Sequence, residues 1–213
     1  MYLAFYEKLN SLPEKEYIEN FIVYNTSTVI ARVKPASILN FSEDSKSLYS
    51  SWKRYGRNFV KEIDLEYVEL READSSIIVL VYSENVMKEY ITNEKNREFL
   101  MRIGYPKEIS VKSYIETLKA RYILYHCPHE LGVFLGIPIE DVKDFMECTN
   151  KKCLLCGYWK VYNNYYAAEK TFKQYDIIKA HTINSFIRSN NAIELVESIK
   201  KNFLLRCAFH NFK

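Results

Sequence analysis

The segment HCPHELGVFLG, residues 126–136, concentrates side chains that could do chemistry. Histidine titrates near neutral pH, a thiolate is a nucleophile and a metal ligand, and a carboxylate can move protons. We therefore treat Cys127, His129 and Glu130 as candidate catalytic residues, with His129 as the first choice. His129 and Glu130 are adjacent, so in an extended segment they would point to opposite sides rather than form an acid–base pair. The alternative is structural: the segment stops a helix before Pro128, and His129 fixes a turn through backbone hydrogen bonds.

A small-molecule site would need further residues from outside this segment. Lys34 could bind an anionic group, and Lys160 is a second candidate ligand-binding cation. Tyr158 and Trp159 would form the apolar walls that such pockets require. In this hypothesis His129 moves a proton.

Three cysteines follow the segment with a spacing that is loosely typical of metal sites. Cys148, Cys153 and Cys156 could offer three thiolates to zinc, with Cys127 or His129 as the fourth ligand. The pair Cys153-Leu-Leu-Cys156 lacks the glycine-rich knuckle that usually surrounds such ligands. Free thiols packed as small apolar groups are therefore the favoured interpretation, and no metal is predicted.

Several familiar functional signatures are excluded. His129-Glu130 begins like a zinc-protease helix, but the position of the second histidine is occupied by Val133. Five scattered glycines cannot build a phosphate-binding loop. No run approaches the ~18 apolar residues that span a bilayer, and the first residues do not form a signal peptide. A cytoplasmic protein without membrane association is predicted, and its five cysteines favour thiols over disulfides.

The net charge of +3 conceals an asymmetry along the chain. Residues 1–150 carry 19 Lys and Arg against 23 Asp and Glu, whereas residues 151–213 carry 11 against 4. The basic residues are dispersed and form no arginine-rich cluster, so nucleic acid is not the expected partner. A solvated helical face, or a surface that docks a protein partner or a second copy of the chain, remains open.

Hydrophobic periodicity predicts an α+β fold with a small mixed or antiparallel sheet of three to five strands packed with several helices. EYVELREADSSIIVLVY reads as two strands around a tight turn, with the continuously apolar second strand central and covered on both faces. A further strand is expected near residues 37–41, after an extended passage from residue 25. Residues 1–24, 47–63, 83–91 and 94–103 are predicted to be helical.

The elements around the candidate site follow from caps and prolines. Ser110 should cap a helix that buries residues 111, 114, 115, 118 and 122. An apolar extended run to Gly136 follows, and Pro138 opens a helix with residues 139, 142, 145 and 146 facing inward. CGYWKVY, residues 156–162, reads as one strand, and helices are expected at 165–188 and 192–203. We predict one α+β domain at residues 1–176 and a helical, basic C-terminal extension at residues 177–213.

The run CPHELGVFLGIPIEDVKDFME and the later CLLCGYWKVYNNYYAAEKTFKQYD resemble a family catalogued as domain of unknown function 3793, found largely in anaerobic Firmicutes-type bacteria. Its core pattern falls at residues 128–138, 140–142 and 157–162, and the resemblance spans roughly Asn25 to Asp176. Relatives often carry a His-Cys-Ala-Pro-like stretch before Lys-Pro-Ala, where this chain has NTSTVIARVKPA. The resemblance implies a bacterial protein but no reaction, cofactor or ligand.

Two functions therefore stay open. The first is a non-catalytic binding or regulatory module, favoured because no complete catalytic constellation is visible. The second is a small-molecule-binding protein or enzyme with a site near Lys34, Cys127, His129 and Lys160. The two differ in whether Lys34, His129 and Lys160 converge in one concave pocket.

Overall fold

The structure, a computed structural model, describes residues 2–43, 47–147 and 150–210. Its centre is an antiparallel sheet in the order β1 (Ala36–Ser42), β3 (Ser76–Tyr82), β2 (Glu66–Ala73). The tight turn predicted between β2 and β3 pairs Ala73 with Ser76. As predicted, β3 is central and apolar on both faces, because helices cover both sides of the sheet. The fold class is α+β, as the sequence predicts.

One face of the sheet carries the helices from the two ends of the chain. These are α1 (Tyr2–Ser11), α2 (Glu14–Ile30), α3 (Leu48–Ser51), a π-helical turn (Trp52–Gly56), α4 (Arg57–Glu62), α10 (Tyr165–Arg188) and α11 (Ala192–His210). Trp52 stacks on Phe41 with ring centroids 4.6 Å apart, at the middle of this core. Both α10 and α11 pack on α2.

The opposite face carries the helices that build the candidate site. These are α5 (Glu84–Thr92), α6 (Glu94–Arg102), α7 (Val111–Tyr125), α8 (Leu131–Phe134) and α9 (Ile139–Met146). Leu80 of β3 faces this second core. The buried face of α7 consists of the predicted residues 111, 114, 115, 118 and 122. The side chain of Ser110 accepts a hydrogen bond from the backbone of Ser113, as a helix cap should.

Residues 155–161 form a small hairpin instead of the single predicted strand. β4 (Leu155–Cys156) pairs with β5 (Lys160–Val161), and the chain turns between them. A Cβ at Gly157 would lie 2.4 Å from Cε2 of Phe172, so the turn runs directly over that aromatic ring. Only glycine permits this approach, and the sequence pattern did not reveal the ring on α10 that requires it.

Two extended passages of the prediction are helical instead. α2 continues to Ile30, because Val29 and Ile30 at its end are buried in the core, and Thr26 Oγ1 satisfies its own hydroxyl by donating to the carbonyl of Ile22 at 2.7 Å. The helix stops where Arg32 takes a left-handed φ of 56°. Residues 131–134 form α8 rather than an extended run.

The proposed division into residues 1–176 and 177–213 stays a prediction. α10 runs without interruption through residue 176. Leu195 and Ile199 of α11 lie fully buried in the same core as Ile18 and Ile22 of α2.

None of the helices in the described ranges has the length and apolar character that crossing a membrane requires. A cytoplasmic location stays a prediction.

Candidate functional site

A concave groove of about 280 Å³ lies between α8, α9 and the β4–β5 hairpin. Five residues singled out from the sequence line it together: Cys127, His129, Tyr158, Trp159 and Lys160. The remaining lining is mostly apolar and comprises Pro128, Leu131, Gly132, Leu135, Ile137, Asp141, Val142 and Phe145. We call this the α8–α9 groove.

The end of α7 positions the first residues that line the groove. His126 has a left-handed φ of 61°, which ends the helix and turns the chain. A new helical turn begins at Pro128, whose carbonyl accepts the N–H of Leu131 at 3.0 Å. Proline favours this position because its fixed φ suits a helix start. Cys127 and His129 consequently flank the turn and reach the groove.

His129 is exposed at the edge of the groove. Its ring packs edge-on against Phe145, with centroids 5.1 Å apart. Its carbonyl accepts the N–H of Gly132 at 3.1 Å, but in the described parts of the chain its ring nitrogens have no hydrogen-bond partner. Phe145 was predicted to face inward, but 44% of its surface is exposed. Ile139 and Val142 are buried as predicted, and the acidic side chains of Asp141 and Asp144 are buried beside them.

Glu130 points away from the groove into the protein and is only 2% exposed. It forms an ion pair with Arg121 of α7, and the hydroxyl of Tyr105 donates to the same carboxylate at 3.4 Å. Arg121 also donates to the carbonyl of Ile103 at 3.1 Å. Burial and the nearby Glu130 raise the pKa of Tyr105. His129 and Glu130 therefore do not meet, and the structure does not bring Glu130 into the groove.

Asp141 of α9 is the central polar residue that the sequence reasoning missed. It is 2% exposed and accepts the indole N–H of Trp159 at 2.9 Å. Its other oxygen accepts the backbone N–H groups of Tyr162 (2.9 Å) and Asn163 (3.1 Å) and the Asn163 side chain (3.0 Å). All four bonds come from the hairpin and the residues that follow it. One signal was available: a partly buried tryptophan needs an acceptor for its N–H.

Asp144, one turn later, extends the same attachment. It is buried, and it accepts from Lys151 Nζ at 2.7 Å and from Asn163 at 2.8 Å. Hydrogen bonds from Lys151 and Asn163 lower the pKa of Asp144. We call Asp141 and Asp144, with their partners, the carboxylate clamp. It holds the hairpin, and with it one wall of the groove, against α9.

The hairpin side of the groove is aromatic with a cation at its edge. Trp159 packs edge-on against Phe172, with centroids 4.5 Å apart. Tyr158 donates its hydroxyl to Asp176 at 2.8 Å. Lys160 is exposed on β5 and brings a positive charge to the lining. The two aromatic rings are thus held by contacts with α10, whereas Lys160 has no hydrogen-bond or ion-pair partner among the residues that the structure describes.

The cysteines do not assemble into a described metal site. Cys127 is exposed in the groove, where its thiol adds to burial in raising the pKa of Tyr122. Cys153 donates to the carbonyl of Leu155 at 3.3 Å, and Cys156 is exposed. Among the residues that the structure describes, no group of three His, Cys, Asp or Glu side chains could hold a metal ion. Cys148 lies outside those residues, so zinc binding through the three cysteines stays an untested alternative.

Lys34 lies outside the groove lining, so Lys34, His129 and Lys160 do not converge in this groove. It precedes Pro35 in the loop between α2 and β1 and is partly buried. Burial and the nearby Lys179 lower the pKa of Lys34 to about 8. The loop packs behind the groove, since a Cβ at Gly136 would be 2.7 Å from Cδ of Pro35.

Comparison with protein families gives one match. The family model described as "Protein of unknown function (DUF3793)" matches residues 22–196. The chain belongs to this family. The match includes the α8–α9 groove and the carboxylate clamp, and it reaches beyond the span of Asn25 to Asp176 noted from the sequence. Searches among curated proteins and among solved structures found no match. Membership thus identifies the chain's relatives but assigns no activity.

Proposed function

We propose that this protein is a non-catalytic binding module whose α8–α9 groove takes a small, mostly apolar ligand with one anionic group. The observation that carries this proposal is the joint lining of one concave, apolar groove by His129, Trp159 and Lys160. Small-molecule sites are typically concave and apolar, with a few polar groups that orient the ligand. Bacterial origin, a cytoplasmic location and a protein partner or homo-oligomer stay predictions.

The lining restricts the chemistry of the ligand. A volume of about 280 Å³ lies at the low end of the range of roughly 300–1,000 Å³ for such pockets, so the ligand is compact. The rings of Trp159, Tyr158 and Phe145 offer edges and faces that suit a flat aromatic body. Lys160 and His129 at the edge suit a carboxylate or similar anion. A small aromatic carboxylate fits these features best.

The absence of catalysis is argued from what surrounds His129. General bases in enzymes are oriented by a second group, and nucleophiles lie within reach of a base. Within the described ranges, the His129 ring contacts Phe145, but its nitrogens have no hydrogen-bond partner. The adjacent carboxylate of Glu130 is committed to Arg121 and Tyr105. These features support binding rather than proton transfer, and they leave Cys127 as a lining group.

The test is a titration of the full chain with naphthoate, followed by tryptophan fluorescence. Trp52 is fully buried in the other core, so a ligand in the groove should change the emission of Trp159. Saturable quenching is expected. Lys160→Gln should weaken naphthoate about fivefold, the scale of one exposed ion pair, and leave the neutral analogue naphthylethanol unaffected.

Lys152→Gln provides the matched control, since Lys152 is an exposed lysine outside the groove lining. It should bind naphthoate like the unmodified protein. The proposal fails if quenching is not saturable, or if Lys152→Gln and Lys160→Gln weaken binding equally. To test for catalysis, His129→Ala should change the affinity while the bound naphthoate is recovered chemically unchanged from every variant.

A further inference from the structure

A second cluster of polar side chains lies where the α2–β1 loop, α5 and α10 meet. Its members are Lys34, Tyr90, Tyr175 and Lys179, and we call it the Tyr–Lys cleft. Tyr175 and Lys179 are four residues apart on α10 and therefore share one face of that helix. Tyr90 of α5 and Pro35 both lie within 3.4 Å of a Cβ built at Gly136, which brings α5 beside the loop that carries Lys34.

The cleft holds hydrogen-bond donors without matching acceptors. Tyr175 is 2% exposed, and neither its hydroxyl nor that of Tyr90 has a hydrogen-bond partner in the portion of the chain that is described. Lys34 has no ion pair there either, and the ammonium of Lys179 lies 4.4 Å from the ring centroid of Tyr24. Among the described residues only Asn20 Oδ1 is a buried side-chain polar atom without a partner, so the donors of the cleft reach solvent and are accessible to an anion.

The charges of the cleft also favour an anionic ligand. Lys34 and Lys179 are close enough that Lys179, together with burial, lowers the pKa of Lys34 to about 8. Burial also lowers the pKa of Lys179, and Asp176 partly opposes that effect. Asp176 already accepts the hydroxyl of Tyr158. Glu89 is the other nearby acid, and it acts on Tyr90. Two partly buried cations without a dedicated carboxylate repel each other unless an anion lies between them.

We propose that the Tyr–Lys cleft binds an oxyanion, a phosphate group or a carboxylate, through Lys34, Lys179 and the hydroxyls of Tyr90 and Tyr175. Ammonium and phenol groups all donate to such an anion, and charge-assisted hydrogen bonds are the strongest available to them. This site is distinct from the α8–α9 groove and does not depend on the function proposed for it. Tyr158 joins the two, because it lines the groove and packs against Tyr175 with centroids 5.0 Å apart.

The experiment is a titration of the nitrogen-15-labelled full chain at pH 7 with inorganic phosphate, and separately with acetate, at constant ionic strength set by chloride. Saturable shifts of the amides around Lys34 and Lys179 are expected with at least one of these anions. Lys34→Gln and Lys179→Gln should each weaken binding about tenfold, the loss of one charge-assisted bond. Tyr175→Phe removes only a hydroxyl and should weaken it less.

Lys173→Gln is the matched control, because Lys173 is an exposed lysine of α10 whose partner is Glu169. It should leave the anion affinity unchanged. The proposal is overturned if neither phosphate nor acetate gives saturable shifts in this region. It is also overturned if Lys34→Gln and Tyr175→Phe, with native-like spectra, bind the anion as tightly as Lys173→Gln does. Naphthoate quenching of Trp159 is read separately, so the two sites can fail independently.

Discussion

The carboxylate clamp and the Tyr–Lys cleft are both polar and both partly buried. The acceptors of the clamp are matched by donors, whereas the donors of the cleft lack acceptors. In the clamp, Asp141 and Asp144 accept six hydrogen bonds from the hairpin and the residues around it. In the cleft, the hydroxyls of Tyr90 and Tyr175 and the ammonium group of Lys34 have no hydrogen-bond acceptor among the described residues. A matched network stabilises the fold, whereas two partly buried cations without a dedicated carboxylate cost stability unless a ligand supplies the opposite charge. The clamp is therefore a structural feature and the cleft a candidate binding site.

The largest effect is expected when the clamp loses its central acceptor. Asp141→Ala leaves an indole N–H, two backbone N–H groups and an amide without their partner. We expect the free energy of unfolding to fall by about 3–4 kcal/mol, measured by chemical denaturation. The control is Glu140→Ala, next along α9, whose exposed pair with Lys95 should contribute about 0–1 kcal/mol. Equal losses in both variants would remove the structural role of the clamp.

A smaller loss is expected at Glu130, a buried carboxylate outside the clamp. Glu130→Ala leaves Arg121 without its partner and removes the acceptor of the Tyr105 hydroxyl. Because Arg121 keeps some contact with solvent, we expect a loss of about 2–3 kcal/mol, below that of a fully buried ion pair. Glu116→Ala, at an exposed position of α7, serves as the control. A Glu130→Ala protein as stable as this control would mean that Glu130 is available for a role in ligand binding.

Removing a charged group from the cleft should raise the stability of the protein, whereas removing a buried carboxylate lowers it. Lys34→Met removes a partly buried charge and should stabilise the protein at pH 7 by about 1 kcal/mol, less than the full pKa shift because the side chain is only partly buried. The folded-state pKa of about 8 lies below the ordinary 10.5, so the unfolded chain binds more protons between these values. The stability of the unmodified protein relative to Lys34→Met should therefore rise from pH 8 to pH 10.5.

Thermal unfolding of both proteins across this pH range measures the effect, with Lys173→Met as the exposed control. A Lys34→Met protein that is less stable than the unmodified one at pH 7 would show that Lys34 has a stabilising partner. The cleft would then resemble the clamp, and the contrast between them would be lost.

The smallest effect on stability is expected at the edge of the groove. His129 is exposed and its ring packs against the half-exposed ring of Phe145, so His129→Ala should change the free energy of unfolding by less than about 0.5 kcal/mol. Its affinity for naphthoate should nevertheless fall about two- to threefold, because one edge contact is lost. A large loss of stability with unchanged affinity would assign His129 to the turn instead of the groove.

The sequence predicted the elements whose signals are local and strong. The apolar run of β3 and the five-residue buried face of α7 were read correctly, because periodicity alone determines which side of an element is buried. The continuation of α2 past Asn25 was not predicted. Serine and threonine usually favour non-helical conformations, whereas here Thr26 and Ser27 donate their hydroxyls to carbonyl groups of the same helix. Glycine is needed at position 157 because the chain passes directly over the ring of Phe172, which belongs to a distant helix. Periodicity cannot show such a contact.

The site residues, too, were predicted where the signal is local and missed where it depends on distant contacts. Chemical character singled out Cys127, His129, Tyr158, Trp159 and Lys160, and the fold brings these residues to one groove. Lys34 and Glu130 are held elsewhere by long-range packing that no local pattern encodes. Asp141 was not singled out, because its hydrogen-bond donors lie 18 to 22 residues later, in and just after a hairpin that was not predicted.

The most direct test of the central claim is an intermolecular nuclear Overhauser measurement between naphthoate and the methyl-labelled full chain. Contacts from the naphthoate ring protons to methyl groups of Leu131, Leu135 and Val142 are expected, because these residues line the α8–α9 groove. No contacts are expected to the methyl groups of Ile18 or Val196, which are buried in the other core. Saturable naphthoate binding without contacts to Leu131, Leu135 and Val142 would contradict the assignment of this groove as the binding site.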